Sequence, residues 1–407
     1  MSEEKLVPKL RFSGFDDEWK SFKLSEISKR ITRKNKSLET DRPLTISAQY
    51  GLVDQIEYFN KIVASKSLKG YYLLNKGEFA YNKSYSNGYP FGAVKRLDDY
   101  ENGAISTLYI CFNTNDKMNS DLLKEYFETD KWHEEIYKIA VEGARNHGLL
   151  NVAVGDFFNT KHVLPTNNHE QEKIAKFLIE INTKIDLLEN KHKAYQDFKK
   201  YLMQKIFAQE LRFENYNEAI YKLSDLYSSK KGTGLSKDKL DEEGLNKCIL
   251  YGELYTTYNE IIQDVKSKTN SQEGILSKVG DILIPSSTTT KGIDLVTASV
   301  ILEENVLLSG DITILRSKNE NIINNKFFAY YFTNNLVKDV SKLTQGSTII
   351  HLYWKDFKKV KLALPPINEQ NKCVDLFLKL DKKIDLINFQ IQKMEEFKKG
   401  LLQQMFV

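Results

Sequence analysis

The sequence has few of the features that mark exported, membrane or metal-binding proteins. Its 407 residues include three cysteines, Cys111, Cys248 and Cys373, which stand in none of the Cys/Cys or Cys/His spacings of zinc sites and disulfide frameworks. No run of eighteen apolar residues occurs, and residues 1–10 contain two glutamates and no apolar stretch, so neither a membrane span nor a signal peptide is predicted. We expect a protein of the reducing cytoplasm with no membrane partner.

Motifs for nucleotide, base or metal chemistry are also missing. The chain has no GxxxxGK[ST] phosphate-binding loop. Its single Pro-Pro pair, Pro365-Pro366, lies between Leu364 and Ile367, so it lacks the Asn/Asp before and the aromatic residue after that a base-flipping amino-methyltransferase needs. The six histidines form no HExxH spacing, and so neither catalytic residues nor metal ligands are predicted.

Charge does not decide the partner. The formal net charge is +4 and the isoelectric point is about 8.5, which permits a polyanion as ligand without requiring one.

An internal repeat with a period of about 200 residues is what the sequence does contain. The chain is long enough for two cores, and short motifs recur in the same order in both halves. Leu10-Arg11-Phe12 returns as Leu211-Arg212-Phe213, and Tyr126-Phe127 as Tyr331-Phe332. Apolar stretches at Phe79–Tyr81, Ile105–Phe112, Ile282–Ile284 and Asp311–Leu315 predict buried strands, so each half is predicted to be an α+β lobe with a twisted sheet and flanking helices.

Each copy ends in a predicted long helix. After Leu164-Pro165 and Leu364-Pro365 come Glu170-Gln171 and Glu369-Gln370, a helix-start signal after a proline stop. About forty residues without proline then follow in each copy. These features predict four segments: a first lobe at 1–165, a first helix at 166–210, a second lobe at 211–366 and a second helix at 367–407.

Apolar residues recur at seven-residue steps in both helices, a spacing that predicts coiled-coil packing. Phe198 and Phe397 are expected to extend the apolar stripe. The predicted packing residues are Ile174, Ile181, Ile185, Leu188, Tyr195 and Leu202 in the first helix and Leu380, Ile384, Ile387, Met394 and Leu401 in the second. The two helices are expected to pack on each other as a coiled coil, and pairing with a helix of another subunit is the alternative. A pseudo-two-fold relation between equivalent copies favours the antiparallel arrangement. A rod of about 60 Å could then hold two lobes apart like a ruler.

Taken together, these motifs resemble the specificity subunit of type I restriction-modification systems over the whole chain. The resemblance rests on residues 8–19, 77–96 and 364–370, and on the repeated Lys-Ile-Asp-Leu (184–187 and 383–386) and Phe-Lys-Lys (198–200 and 397–399). One departure occurs, because the second copy is one residue shorter between Leu-Pro and Glu-Gln.

The resemblance implies a sequence-reading subunit that is not itself an enzyme. It implies two target recognition domains, each reading one half of a split site in double-stranded DNA. It also implies two modification (methyltransferase) subunits and two restriction (translocase and nuclease) subunits as partners. S-adenosylmethionine, ATP and Mg²⁺ are expected on those partners and no cofactor on this chain.

Two polar loops in each lobe suit base readout, because they offer donors and acceptors beside lysines and hydroxyls that can hold phosphates. An ordinary turn is the alternative interpretation of such residues. The predicted DNA-binding residues are Asn82, Lys83, Ser84, Tyr85, Arg145, Asn146 and His147 in the first lobe and Ser286, Ser287, Thr288, Thr289, Lys291, Gln345, Ser347 and His351 in the second. Since the loops differ between the lobes, the predicted half-sites differ too.

Two other functions stay open at this stage. A coiled-coil scaffold without a nucleic-acid role would also contain a duplication and long helices, and salt-dependent binding to duplex DNA would distinguish it. The other is a DNA-modifying enzyme with unrecognised motifs, which would be active without added subunits.

Overall fold

The computed structural model describes residues 6–65, 67–86, 88–140 and 150–407. The described part of the first lobe contains ten short strands and five short helices. The strands are β1 Lys20–Lys23, β2 Ser28–Ile31, β3 Pro43–Ser47, β4 Gly51–Asp54, β5 Tyr72–Asn75, β6 Phe79–Asn82, β7 Ala93–Arg96, β8 Asn102–Ile105, β9 Ile110–Thr114 and β10 Lys161–Leu164. The helices are α1 Leu24–Ile27, α2 Gln55–Phe59, α3 Ser120–Tyr126, α4 His133–Ile139 and α5 Val154–Asn159.

Two four-stranded sheets, with the orders β2-β9-β6-β7 and β4-β3-β8-β5, form the body of this lobe, and a separate antiparallel pair joins β1 to β10. Apolar residues of β6 and β9 pack against α3 and α5, where Phe79 stacks on Phe112 with ring centroids 5.1 Å apart. Tyr81 stacks on Phe157 at 4.6 Å. An aromatic core of this kind buries large apolar areas in few residues.

The first long helix, α6, follows at Asn168–Phe207. The second lobe then contains the strands β11 Ala219–Lys222, β12 Tyr227–Lys231, β13 Asn246–Ile249, β14 Ile261–Ile262, β15 Lys268–Thr269, β16 Ile275–Leu276, β17 Ile282–Pro285, β18 Ser287–Thr288, β19 Ser299–Ile301, β20 Leu307–Leu308, β21 Ile312–Ser317, β22 Ile350–His351 and β23 Lys361–Leu364. Its helices are α7 Leu223–Leu226, α8 Glu253–Thr256, α9 Asn325–Asn335, α10 Val337–Val340 and α11 Trp354–Phe357, with 3₁₀ turns at Lys237–Lys239, Gly292–Leu295 and Ser341–Leu343. The second long helix, α12, is Ile367–Met405.

The second lobe repeats the plan of the first. A five-stranded sheet, β12-β21-β17-β19-β14, and a four-stranded sheet, β15-β13-β20-β16, form its body. The pair β11-β23 closes it in the register of β1-β10, since Lys20 lies opposite Leu164 and Ala219 opposite Leu364. One small pair, β18-β22, stands apart from these sheets.

The chain forms two compact units, and the division runs through both long helices. One unit comprises the described residues up to Glu189 with Asn388–Val407, and the other comprises Asn190–Ile387. In the first unit, the core joins Ile174 and Leu178 of α6 with Leu401 and Met405 of α12. In the second, Met203 and Phe207 of α6 share a core with Cys373 and Phe377 of α12. Each unit thus packs the beginning of one long helix beside the end of the other, an antiparallel arrangement. The predicted fold class is confirmed.

The predicted packing residues differ in burial along the helices. Ile174, Ile181, Ile185, Leu188, Leu380, Ile387 and Leu401 are buried, and Tyr195, Leu202, Ile384 and Met394 are partly buried. Phe198 and Phe397, which were expected to extend the apolar stripe beside the step positions, are instead exposed by 49% and 53%. In this part of α6 the step positions Tyr195 and Leu202 are partly buried and Met203 is buried, so the buried face of the helix does not include Phe198.

The glutamine of each Glu-Gln pair joins a lobe to its long helix through matching hydrogen bonds. Gln171 accepts from the backbone N–H of Asn119 (2.7 Å) and donates to the carbonyl of Pro165 (2.9 Å). Gln370 accepts from the N–H of Asn324 (2.9 Å) and donates to the carbonyl of Pro365 (2.8 Å). Asn119 and Asn324 are the N-caps of α3 and α9. Each glutamine therefore links a lobe helix to a long helix, and the extra residue in the first copy lies before α6, where it leaves this network unchanged.

One predicted strand is wrong. The apolar stretch Ile105–Phe112 divides into β8 and β9, which belong to different sheets. A turn separates the two strands, in which the N–H of Tyr109 donates to the carbonyl of Ser106 (3.2 Å) and the N–H of Leu108 to the Ser106 hydroxyl (3.3 Å). Serine competes for backbone hydrogen bonds in this way at turns.

Among the described residues, no helix combines the length and apolar character that crossing a bilayer requires.

Candidate nucleic-acid interface

The two predicted loops of the second lobe lie side by side. Strand β18 pairs with β22, which sets Ser287 opposite His351 and Thr288 opposite Ile350. Gln345 and His351 exchange backbone hydrogen bonds of 2.9 and 2.7 Å. Residues about sixty positions apart in sequence thus form a single polar projection from the lobe.

Three predicted residues of the first of these loops face inward. The Ser286 hydroxyl is 2.8 Å from that of Thr313, and the Ser287 hydroxyl is 2.9 Å from Nδ1 of His351. Thr288 is fully buried. These three side chains support the loop from inside, which leaves Thr289 and Lys291, both exposed, as the side chains that can reach a ligand.

The second loop presents Gln345 and Ser347, which are exposed. Its tight turn depends on Gly346, whose φ of +113° is a conformation that other residues rarely adopt. A Cβ at this position would collide with the carbonyl oxygen of Ile349. Gly346 therefore determines the shape of the projection, although it contributes no side chain to it.

Three residues beside this projection, Tyr353, Lys231 and Lys355, were not among the predicted DNA-binding residues. The Tyr353 ring stacks on His351, with centroids 5.4 Å apart and planes 14° from parallel. The ammonium groups of Lys231 and Lys355 lie 5.9 and 5.7 Å from the centre of the Tyr353 ring. Stacked rings flanked by lysines suit a nucleic-acid surface, because the lysines can neutralise phosphates. The fold assembles this group from two separate segments, the end of β12 and residues 351–355.

In the first lobe, the segment after β6 is joined to residues 150–152. The N–H of Leu150 donates to the carbonyl of Lys83 (2.9 Å), and the Lys83 ammonium donates to the carbonyl of Val152 (3.3 Å). In the second lobe Leu352 donates to the carbonyl of Ser286 in the same manner. The repeated scaffold thus brings the two loop regions of each lobe together at their bases.

The first-lobe loop, which follows β6, contains a hydrogen bond of its own. The Asn82 side chain accepts from the N–H of Ser84 (3.0 Å), and the Tyr85 side chain is 60% exposed. Gly92 approaches this loop so closely that a Cβ would strike the Asn82 carbonyl oxygen. Lys83 is held by its bond to Val152, which leaves Tyr85 as the most open of the predicted side chains here. Arg145, Asn146 and His147 lie outside the described residues.

The described part of the chain offers little for covalent or metal chemistry. It contains no group of three or more His, Cys, Asp or Glu side chains that could hold a metal ion. All three cysteines are buried, and burial raises the pKa of the Cys111 thiol to about 12, so this group stays a protonated thiol at neutral pH.

Comparison with known proteins identifies the class to which this fold belongs. Residues 216–396 match the family model of the type I restriction modification DNA specificity domain. One relative, the type I restriction enzyme MjaVIII specificity subunit of Methanocaldococcus jannaschii, is 28% identical over 107 residues, 26% of this chain and 25% of that protein. Another, the putative type I restriction enzyme specificity subunit S.HindORF215P of Haemophilus influenzae, is 29% identical over 126 residues, 30% of this chain and 28% of that protein. The matched segments span only about a quarter of each of these relatives.

Solved structures share the fold over nearly the full length. The type I restriction-modification S subunit from M. genitalium aligns with a TM-score of 0.58 at 17% identity, covering 98% of this chain and 99% of that one. A chain from a study of complex assembly and conformational transition of the type I R-M system aligns with the same TM-score at 15% identity, covering 95% and 97%. The class is thus that of two-lobed α+β proteins with paired long helices.

The chain is similar to type I restriction-modification specificity subunits, and residues 216–396 match the DNA specificity domain of that family, in agreement with the resemblance predicted from the sequence.

Proposed function

We propose that this chain reads a split, asymmetric target in double-stranded DNA and directs modification and restriction subunits to it. The observation that carries the proposal is the pair of loop regions joined on a repeated scaffold in each lobe. The scaffolds agree down to backbone hydrogen bonds at Lys83 and Ser286, whereas the exposed side chains differ. A shared scaffold with unlike reading surfaces fits recognition of two unlike half-sites.

The exposed residues of the second lobe fall into two chemical groups, one suited to base edges and one to phosphates. Gln345 and Thr289 have the donors and acceptors that base edges require. Lys231, Lys291 and Lys355 supply positive charge for phosphates. The His351-Tyr353 stack adjoins Lys231 and Lys355 and is linked to Gln345 through the backbone of His351.

The long helices supply a surface for the partner subunits. Leu187 and Phe198 of α6 are exposed by 62% and 49%, and Leu386 and Phe397 of α12 by 49% and 53%. Eleven residues are close to three helical turns, so the members of each pair share a face. Exposed apolar rows of this kind mark association sites, and we assign these rows to the modification subunits. In this proposal, S-adenosylmethionine, ATP and Mg²⁺ bind to the partner subunits, and this chain contributes no catalytic group.

Binding of fluorescent duplexes to the chain co-expressed with its modification subunits tests the proposal. The affinity should fall steeply with salt, and Lys231→Met or Lys355→Met should each lower the slope of log affinity against log salt by about 1. Gln345→Ala should weaken discrimination at one base pair by about 1–3 kcal/mol. Lys278→Met serves as the matched control, since this exposed lysine lies at the opposite end of β17 from the loop.

Binding that is independent of salt, or equally affected by Lys278→Met, would contradict the proposal. A complete lack of duplex binding by the assembled complex would favour an assembly scaffold without a nucleic-acid role.

A further inference from the structure

A buried carboxylate in the first unit connects a lobe helix to both long helices. Glu125 on α3 is 1% exposed. Its Oε1 accepts a hydrogen bond of 2.8 Å from the Asn182 amide on α6. Its Oε2 is buried and has no hydrogen-bond partner, while the Lys398 ammonium on α12 lies 3.6 Å away. One carboxylate, one amide and one lysine thus join three elements.

The second unit contains a corresponding group of side chains, in which the carboxylate lies on a long helix and not on a lobe helix. Asp381 on α12 accepts a hydrogen bond from the Tyr330 hydroxyl on α9. The Lys199 ammonium on α6 lies 2.6 Å from Oδ1 of Asp381 and 3.8 Å from a carboxylate oxygen of Glu260. Lys199 is 13% exposed at its side chain. Again one lobe helix and both long helices meet at a carboxylate and a lysine.

The sequence repeat aligns the two groups position by position. Glu125 precedes Tyr126-Phe127, as Tyr330 precedes Tyr331-Phe332. Asn182 and Asp381 are 199 positions apart, the separation of the repeated Lys-Ile-Asp-Leu. The repeated Phe-Lys-Lys makes Lys199 the equivalent of Lys398. The lysine is retained in both units, whereas the carboxylate has moved from the lobe helix to the long helix.

Electrostatics explains why the lysine is retained in both units. A carboxylate buried without a counter-charge is strongly destabilising, so each group requires a cation. In both units that cation comes from the long helix that ends beside the lobe and not from the one that begins there. The Coulomb attraction acts over several ångströms, so the carboxylate can sit at either of two adjacent positions and still face the lysine.

We propose that Lys398 and Lys199 are positioning residues. Each holds the C-terminal end of a long helix on a lobe, and the carboxylate that pairs with it can stand at either the lobe-helix or the long-helix position. The inference concerns how each unit holds together, and it stands apart from DNA binding.

Moving the first unit's carboxylate to the position that it has in the second unit tests the inference. In the full chain, Glu125→Gln leaves Lys398 unpaired and should lower the melting temperature of the first unit by about 5 °C. Adding Asn182→Asp to that variant should restore most of the loss, because the new carboxylate stands where Asp381 stands. Asn182→Asp alone should destabilise, because the new carboxylate would replace the amide that donates to Glu125 and would repel that carboxylate at close range.

The control pair is Glu134→Gln with Asn190→Asp. It makes the same chemical changes at exposed positions and should leave the melting temperature unchanged. If the Glu125→Gln, Asn182→Asp double variant is no more stable than Glu125→Gln alone, or if Glu125→Gln has no effect, the inference is wrong.

Amide hydrogen exchange on Lys398→Met provides a second, local measurement. Exchange should rise in α3 and at residues 388–407, while α9 stays protected. The reverse pattern is expected for Lys199→Met. Faster exchange throughout the chain in either variant would instead indicate general unfolding and would overturn a positioning role.

Discussion

Two buried glutamates at equivalent positions have different partners. Both oxygens of Glu170 pair with the Arg11 guanidinium, at 2.6 and 2.8 Å, and Trp19 donates to it at 3.2 Å. Glu369 accepts from the N–H of Phe213 at 2.7 Å, and its other oxygen is buried without a hydrogen bond. Arg212, the repeat equivalent of Arg11, is exposed and bonds to Gln209 instead. A shared Leu-Arg-Phe motif therefore does different structural tasks in the two lobes.

The two arginines should respond differently to the same substitution. Arg11→Met leaves Glu170 buried and unpaired, and it should destabilise the first unit by about 3 kcal/mol. Arg212→Met removes an exposed contact and should change stability little. Urea unfolding of both variants measures this difference, and equal effects would contradict the role given to Arg11.

His162 should make the first unit sensitive to acid. The ring lies between the Tyr126 hydroxyl (3.1 Å) and the Thr160 hydroxyl (2.8 Å), and burial lowers its pKa from 6.5 to about 4. Between those two pH values the unfolded chain binds a proton that the folded one does not, so stability should decrease as the pH falls. The loss should reach about 3 kcal/mol near pH 4.

His162→Gln, which keeps a polar side chain but does not titrate, should abolish this part of the acid sensitivity. His169→Gln is the matched control, because that ring is exposed. Thermal unfolding from pH 7 to pH 4 makes the comparison. If wild type and His162→Gln lose stability in parallel, the histidine does not act in this way.

At the scale of elements, the sequence predicts the long helices well and the loops less well. Seven-residue steps and the lack of proline locate α6 and α12, because a long amphipathic pattern has few other solutions. Ser287 and Thr288 belong to a polar run typical of a turn, yet they pair with β22 and are buried. Tyr353 meets Lys231, which is 122 positions earlier in the chain, only in the folded structure, and no local sequence pattern predicts such a contact.

The exposed apolar rows of the long helices should matter for assembly and not for folding. Leu187→Ser with Phe397→Ser should leave the melting temperature nearly unchanged but weaken co-purification with the modification subunits. Ile181→Ala, in the buried core of the first unit, should cost about 2–5 kcal/mol of stability. Undiminished co-purification of the serine variants would place the partner contact elsewhere.

At the scale of the whole molecule, duplication is the property that the sequence displays most clearly. Motifs repeated at a nearly constant separation predict two lobes of one plan, and the matching registers of β1-β10 and β11-β23 agree with them. Divergence within the repeat is harder to interpret from sequence. The exchange of carboxylate between Glu125 and Asp381 becomes visible only when contacts pair residues from three elements.

The most direct test of the central claim is genome-wide mapping of methylated adenines in cells that express this chain with its modification subunits. We predict an interrupted motif, two specified parts around an unspecified gap, that requires the chain. Replacing Thr289, Lys291 and Gln345 together should alter one part and leave the other intact. Recognition by two separate lobes would be contradicted if the triple variant left both parts of the motif unchanged or altered both. It would also be contradicted if no interrupted motif were found.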